Sequence, residues 1–489
     1  MKICLANFPW EDLGKWGIRA GCRFPNLMPR RHNSYVPFPF LLAYTASYLE
    51  SKGIEVLLID GVAERCGRES FLRRVRAFEP DLVIAETATT SFDYDVSVMD
   101  AIKQENPRTR TVMYGPHISA LPKESMAHRA IDFAIQGEPE FTTYELALAL
   151  DRRGSVEKIL GLACRTPAGE VRVNPRRPQI DPIENLPYPK RTGFPIDRYS
   201  VPGFPAPVMF VYASRGCPFQ CTFCLWPQTI FERGTYRPRS SAAIVEEMIF
   251  LRKNFATRSF FFDDDTFNLG RTRILGFADE MKRRALKAPW GMNARADHLD
   301  REMLERLIET GLFTLRMGIE SGDQGVLNAT RKGLDLEKTR SALEMSHSLG
   351  ISNHVSFMVG LAGETPQSIQ NTARYIKSLP VDSVQFSVAT PFPGTELHQF
   401  VQDRGFLVTN DWKRFNGSDS AVLRTESMTA AEICDAIAML RRKVYLSPRF
   451  MRRRLSYVRN MRDVIALSGK VSRLLLPRSV RGRATSTEA

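Results

Sequence analysis

The sequence predicts an α/β protein made of two successive arrays: a doubly wound parallel sheet, then a partial (βα)6 TIM-like barrel. Three observations carry this. Short apolar segments alternate with helical ones over residues 1–152 and again over 206–400. A stretch rich in Pro, Arg and Gly, 153–205, separates the two arrays. A mainly helical region, 401–489, closes the chain and ends in a basic tail.

In the first array the strands are expected at Lys2–Ala6, Glu55–Ile59, Asp81–Ala85, Thr111–Tyr114 and Asp132–Ile135. Helices are expected between and after them at Phe40–Lys52, Glu69–Phe78, Asp93–Glu105 and Phe141–Arg152. Such βαβ units give a parallel sheet covered on both faces, with ligands bound beyond the carboxyl ends of the strands. Those ends carry Asn7-Phe8-Pro9-Trp10, Thr87-Ala88-Thr89-Thr90, Gly115-Pro116-His117 and Gly137-Glu138-Pro139. The connection from Phe8 to Pro39 is long for a βα turn and is expected to form a lid.

Within 153–205, Leu162–Arg165 and Glu170–Asn174 read as a hairpin in an otherwise extended linker. In the second array the strands are expected at Val208–Ala213, Ser259–Asp263, Trp290–Asn293, Thr314–Ile319, His354–Val359 and Ser383–Val388. Helices are expected at Ala242–Lys253, Thr272–Ala285, Arg301–Thr310, Leu336–Leu349 and Pro366–Ser378.

Cysteine usage points to chemistry. Five of the eight cysteines are scattered, whereas Cys217, Cys221 and Cys224 stand within eight positions after the first strand of the second array. The spacing C-x3-C-x2-C lets one tight loop hold a [4Fe–4S] cluster by three irons and leave the fourth without a protein ligand. The alternatives are a zinc loop and three unrelated core cysteines. Zinc usually takes four protein ligands or three with His, and no His or further Cys lies nearby. Gly216 and Pro218, shaping the loop after a strand, argue against both alternatives.

With its surroundings, the segment from Ser214 to Cys224 resembles the radical S-adenosylmethionine (SAM) superfamily, specifically its cobalamin-binding branch, which includes methyltransferases and anaerobic magnesium-protoporphyrin ester cyclases. The resemblance spans roughly residues 1–400. It implies that the open iron chelates SAM. Phe223 then stands where the family places an aromatic against adenine, and Asp264, within Asp263-Asp264-Asp265, matches the loop that binds the SAM amino group. Arg295 follows the third strand. Glu320 and Ser321 end the fourth, near the expected ribose and carboxylate, and Gly363 and Glu364 lie in the Gly-rich turn after the fifth. Asp264, Glu320 and Glu364 are the candidates for orienting SAM. Each also has a plain reading, respectively a helix-capping turn, a solvent-facing strand end and a helix start.

The same resemblance makes the first domain a cobalamin-binding-like one, with Thr89, Gly115, His117, Gly137 and Glu138 as candidate contacts. It lacks the Asp-x-His-x-x-Gly motif whose His coordinates cobalt, which implies cobalt without a protein His beneath it. A domain that has lost its cofactor is the alternative.

The resemblance implies a SAM- and cobalamin-dependent C-methyltransferase. A 5′-deoxyadenosyl radical removes hydrogen from an unactivated carbon, and cobalamin supplies the methyl group. A radical oxidoreductase, cyclase or carbon–carbon coupling enzyme is the second reading, and a non-catalytic cobalamin or redox sensor the third. The expected partners are a small-molecule, natural-product or lipid substrate and a flavodoxin- or ferredoxin-type electron donor. No catalytic residue is assigned.

Charge is unevenly spread. Of the net +14, the stretch from Arg441 onward carries fourteen Lys and Arg against Asp463 and Glu488, which is +12, so the body is close to neutral. A nucleic-acid-binding face is a poor description of that pattern. No apolar run reaches the ~18 residues of a membrane span, and the start reads as a strand, so a cytoplasmic protein is expected. A helix through 449–467, with Phe450, Met451, Leu455, Val458 and Ile465 towards one side, would either cap a domain or lie on an anionic membrane surface.

Overall fold

The computed structural model describes residues 1–12, 15–29, 35–418 and 420–455. The first sheet places five parallel strands in the spatial order Glu55–Asp60, Lys2–Asn7, Leu82–Glu86, Arg110–Tyr114, Phe133–Ile135. In chain order this is 2-1-3-4-5, so the order reverses between the strands ending at Asn7 and Glu86. A doubly wound sheet opens its ligand crevice at such a point. Alternation along Lys2–Asn7 explains the two covered faces. Ile3 and Leu5 pack with helices Phe40–Ser51 and Glu140–Asp151, whereas Cys4 and Ala6 pack with Arg68–Phe78 and Phe92–Glu105.

The hairpin expected inside the linker belongs instead to this sheet. Leu162–Arg165 pairs antiparallel with Phe133–Ile135, and Val171–Val173 adds the edge. Leu162, Ala163 and Cys164 are fully buried there, so the apolar run has a core to fill, and the extended segment begins only after it.

The Phe8–Pro39 segment builds a three-stranded antiparallel sheet from Glu11–Asp12, Lys15–Ile18 and Asn26–Pro29. It is pinned over the strand ends. Arg19, fully buried, pairs with the equally buried Asp95 at 3.0 Å, and the Gly21 amide donates to Glu86 Oε1 at 3.2 Å.

The second sheet has six parallel strands in chain order: Val208–Val211, Ser259–Phe262, Trp290–Ala294, Leu312–Glu320, Ser352–Val359 and Ser383–Val388. This is the expected open (βα)6 array. One face packs on helices through Met209, Phe260, Met292, Leu315, Val355 and Phe386. Helix Ala430–Tyr445 also packs on that core through Ile433, Ile437, Leu440 and Val444.

Beyond it, helix Pro448–Leu455 seats Phe450 against the Tyr445 ring, with centroids 5.1 Å apart. Phe450 therefore caps the barrel core. The rest of the expected tail helix, from residue 456, lies outside the described residues. Among the described residues no helix is long and apolar enough to cross a membrane.

Candidate active site

Strand Ser214–Gly216 leads directly into the cysteine loop. Gly216 has φ +84°, and a Cβ there would lie 2.6 Å from the Thr235 carbonyl oxygen, so the turn requires glycine. Gln228, on the short helix Trp226–Thr229, holds the loop together. Its Nε2 donates to the carbonyls of Cys221 (3.2 Å), Thr222 (3.2 Å) and Cys224 (2.7 Å), and its Oε1 accepts from the Glu396 amide at 3.0 Å. We expect Gln228→Leu to weaken iron retention about 10–100-fold in a chelator challenge, as loss of an outer-shell partner does. Retention equal to the parent would show that the loop needs no such brace.

Two of the three thiols are shifted by their surroundings. Burial pushes the Cys217 thiol up, and Cys224 is held well above its ordinary value by burial, then by Cys221, Asp265 and Cys217. Iron binds the thiolate form, so a bound cluster would have to offset the cost of ionising these two thiols.

The barrel strand ends bring several expected residues to this loop. Glu320 accepts from Lys332 Nζ at 3.0 Å, and the ammonium lies 5.9 Å from the centre of the Phe223 ring. Glu320 takes φ +74°, an uncommon conformation for a non-glycine residue, and such strain clusters at functional sites. Lys332 was not legible as a site residue, because only the fold brings it back to the strand end. Arg295 is already engaged. It donates to the Lys332 carbonyl at 2.9 Å, pairs with Asp297 and lies over the Phe219 ring, so it holds the loop's surroundings.

Three expected SAM contacts are turned elsewhere. Asp264 is buried and accepts from Ser214 Oγ and the Ala213 amide, bracing the strand that precedes the cysteines. Asp265 is the carboxylate that acts on Cys217 and Cys224, and the next residue, Thr266, places Oγ1 3.7 Å from Cys217 Sγ. Ser321, fully buried, bonds Thr372 and the Asp323 amide. Glu364 is buried with Oε2 accepting from the Gly360 amide and Oε1 unpartnered, while Gly363 and Glu364 line a small cavity with Phe400 and Phe406.

Burial raises the Glu364 carboxyl from its ordinary 4.5 to about 8. Its folded value lies above its unfolded one, so its contribution to stability is complete below about 4.5 and is lost as pH rises to about 8. Glu364→Gln should therefore flatten the fall in stability across that window, read from denaturation midpoints. An unchanged slope would show that the carboxyl is ionised in the fold.

At the first sheet's strand ends the outcome is mixed. Thr89 and His117 come together, with Thr89 Oγ1 3.2 Å from His117 Nδ1. His117 is packed against Phe92 and Trp412, and burial, then His128, push it down to about 3. Gly115 has φ +121°, and a Cβ would meet the Thr87 carbonyl oxygen at 2.2 Å, so its backbone contact accounts for the glycine.

Glu138 faces the barrel rather than the crevice. It accepts from Arg215 at 2.6 Å and Arg237 at 2.9 Å, and the Ile180 amide donates to it. Burial alone would raise its carboxyl, but Arg215 and Arg237 hold it below its ordinary value. Glu140 takes the other side of Arg215 at 2.7 Å. The turn expected to touch a ligand thus locks the two domains together two residues before Cys217. Near the crevice Asn7 Oδ1, Thr90 Oγ1 and Gln136 Oε1 are buried without partners. Such orphaned polar atoms fit a ligand with amide arms, as a corrin has.

Comparison with known proteins agrees with this arrangement. The B12 binding domain family matches residues 34–147 and the Radical SAM superfamily residues 211–376. An uncharacterized methyltransferase of Pyrococcus horikoshii, PH0819, is 32% identical over 84% of this chain and 87% of its own. The anaerobic magnesium-protoporphyrin IX monomethyl ester cyclase of Rubrivivax gelatinosus is 25% identical over 84% of this chain and 74% of its own. The fold matches the Kitasatospora setae radical SAM methyltransferase TsrM, solved with cobalamin and a [4Fe–4S] cluster (TM-score 0.66, 19% identity, 82% and 75% coverage). By these matches and the three-cysteine loop beside a B12-binding sheet, the chain belongs to the cobalamin-dependent radical SAM methyltransferase family.

Proposed function

We propose that the protein is a SAM- and cobalamin-dependent C-methyltransferase acting on an unactivated carbon of a small molecule. One observation carries this reading. The ion-pair lock of Glu138 and Glu140 with Arg215 ties the turn after the last parallel strand of the B12-binding sheet to the strand that enters the cysteine loop. When bound, the cluster with SAM supplies a carbon-centred radical and cobalamin a methyl group.

The chain's own residues then have distinct tasks. Cys217, Cys221 and Cys224 hold the cluster, and Gln228 fixes their loop. Phe223, Glu320 and Lys332 offer a ring and an ion pair beside the open side of the loop for SAM. Gly363, Arg295 and Ser321 shape the surrounding turns. Thr89 and Gly115 stand at the first sheet's strand ends, Gly137 faces Ile230 and Arg176, and the apolar packing of His117 supports cobalt without a protein His beneath it.

Radical oxidation or cyclisation is the second reading, favoured by the similarity to the Rubrivivax cyclase. Anaerobically reconstituted protein with cobalamin, SAM and a reductant separates the two. Methyl transfer gives both S-adenosylhomocysteine and 5′-deoxyadenosine, whereas the alternative gives only the latter. Bound hydroxocobalamin should show a base-off spectrum, and a nitrogen-ligated spectrum lost in His117→Ala would contradict the crevice described here.

A flavodoxin- or ferredoxin-type protein is the proposed electron donor. Peripheral membrane contact through the tail is tested by flotation with anionic liposomes, comparing the full chain with one ending at Ser447. Equal flotation by both would remove the tail from the account.

A further inference from the structure

The inner face of the barrel is divided in two. On its first strands, Val208, Phe210, Tyr212 and Phe261 are buried against the N-terminal domain, where Phe40 stacks on Tyr212 with centroids 3.7 Å apart. On its later strands the same face is polar and half-open. Asn293, Arg316, His354 and Ser383 are register neighbours on four successive parallel strands and form one belt across it. Ser352 and Ser356 flank His354, and Gln385 follows Ser383, all partly exposed.

Arg316 stands out in this belt. It is half-buried, yet among the described residues it makes no hydrogen bond and no ion pair. Its contacts are the faces of Tyr35 and Phe261, at 5.5 and 5.7 Å. Asp263, the carboxylate that acts on it through space, is already engaged by Arg23, Tyr35 and Asn293. The undescribed stretch just before Tyr35, residues 30–34, contains no Asp or Glu. Burial, the largest influence, pulls the guanidinium below its ordinary value. A planar five-donor fork left without acceptors in a partly closed space matches an oxyanion that enters from outside. His354 beside it is held by Ser383 Oγ at 2.6 Å from Nδ1, so its ring is fixed.

We propose that Arg316 anchors the substrate by a carboxylate or phosphate group, seated in the polar half of the barrel beside His354. This rests on the reading of the chain as a SAM enzyme whose substrate enters the barrel, and it narrows that substrate to an anionic molecule. SAM's own carboxylate is a poor occupant. Glu320, where the SAM site is expected, is four residues further along the same strand, roughly 13 Å away.

The test uses anaerobically reconstituted full-length holoprotein. Phenylphosphate and benzoate are titrated at constant ionic strength, with chloride as the reference, and binding is read by calorimetry and by melting temperature. Saturable binding of either probe is expected, and the one bound more tightly identifies the phosphate or carboxylate source. Arg316→Gln should weaken it about tenfold or more, as loss of a charge-assisted fork does. Arg316→Lys, which keeps the charge, should weaken it less. Arg252→Gln, on the outer helix Ser241–Asn254, should leave it unchanged. Iron content and circular dichroism check that each variant folds.

No saturable binding by the parent, or equal binding by a folded Arg316→Gln, overturns the proposal. Abolition of the response by saturating SAM also overturns it, by placing Arg316 in the SAM site. Parent protein that binds the probes but never cleaves SAM would instead overturn the methyltransferase reading.

Discussion

Replacing any one of Cys217, Cys221 or Cys224 by Ala is expected to abolish the four-iron cluster, its brown absorbance and SAM cleavage together. Each thiol occupies one iron, and a cluster with two open irons has no protein ligand to replace the third. The loop gives no substitute. The nearby carboxylate, Asp265, is tied to Arg23, and Thr266 offers only a hydroxyl. Cys66→Ala and Cys434→Ala are the controls. Cys66 packs beside the first sheet's core, and Cys434 sits on the helix Ala430–Tyr445 outside the barrel. Iron per chain and 5′-deoxyadenosine formed under dithionite measure the outcome. A full cluster in all three single variants would sink the assignment.

The second large effect is expected at the domain lock. Arg215 is fully buried between Glu138 and Glu140, and its guanidinium also lies 4.6 Å from the Tyr44 ring centre. Arg215→Met leaves Glu140 buried without its cation, while Glu138 keeps Arg237. Removing one partner of a buried pair costs about 3–5 kcal/mol. The denaturation midpoint should fall accordingly, and iron retention should fall with it, because Arg215 lies two residues from Cys217. Adding Glu140→Gln removes the stranded charge and should recover much of the loss. A double-mutant cycle with no coupling would show that the two groups do not depend on each other.

What the sequence made legible follows from range. Strands and helices depend on local periodicity, and Arg301–Thr310, Pro366–Ser378 and Ser383–Val388 stand where the pattern places them. The cysteine loop was legible because its three cysteines are close in the chain. The hairpin at Leu162–Arg165 was misplaced because an antiparallel edge strand has no local signal for the sheet it joins.

The partners of several site residues could not be read from the sequence, for a common reason. A Gly-Glu-Pro-Glu turn looks the same whether its carboxylates meet a ligand or an arginine 77 positions on, and Glu138 meets Arg215. Three adjacent aspartates cannot be ranked without knowing how the chain turns, and the strand end points Asp264 to Ser214 and Asp265 towards the cysteines. Gln228, Lys332 and Arg316 are of common residue types in no motif. Their roles come from neighbours that only the fold supplies.

The claim on which everything rests is that three cysteines hold a cluster with one iron open to SAM. Electron paramagnetic resonance of the dithionite-reduced, reconstituted protein tests it most directly. The account predicts a reduced four-iron signal whose g-values shift when SAM is added, with the shift weakened in Glu320→Gln and the signal absent in Cys221→Ala. A four-iron signal that SAM leaves unchanged in the parent protein would contradict it.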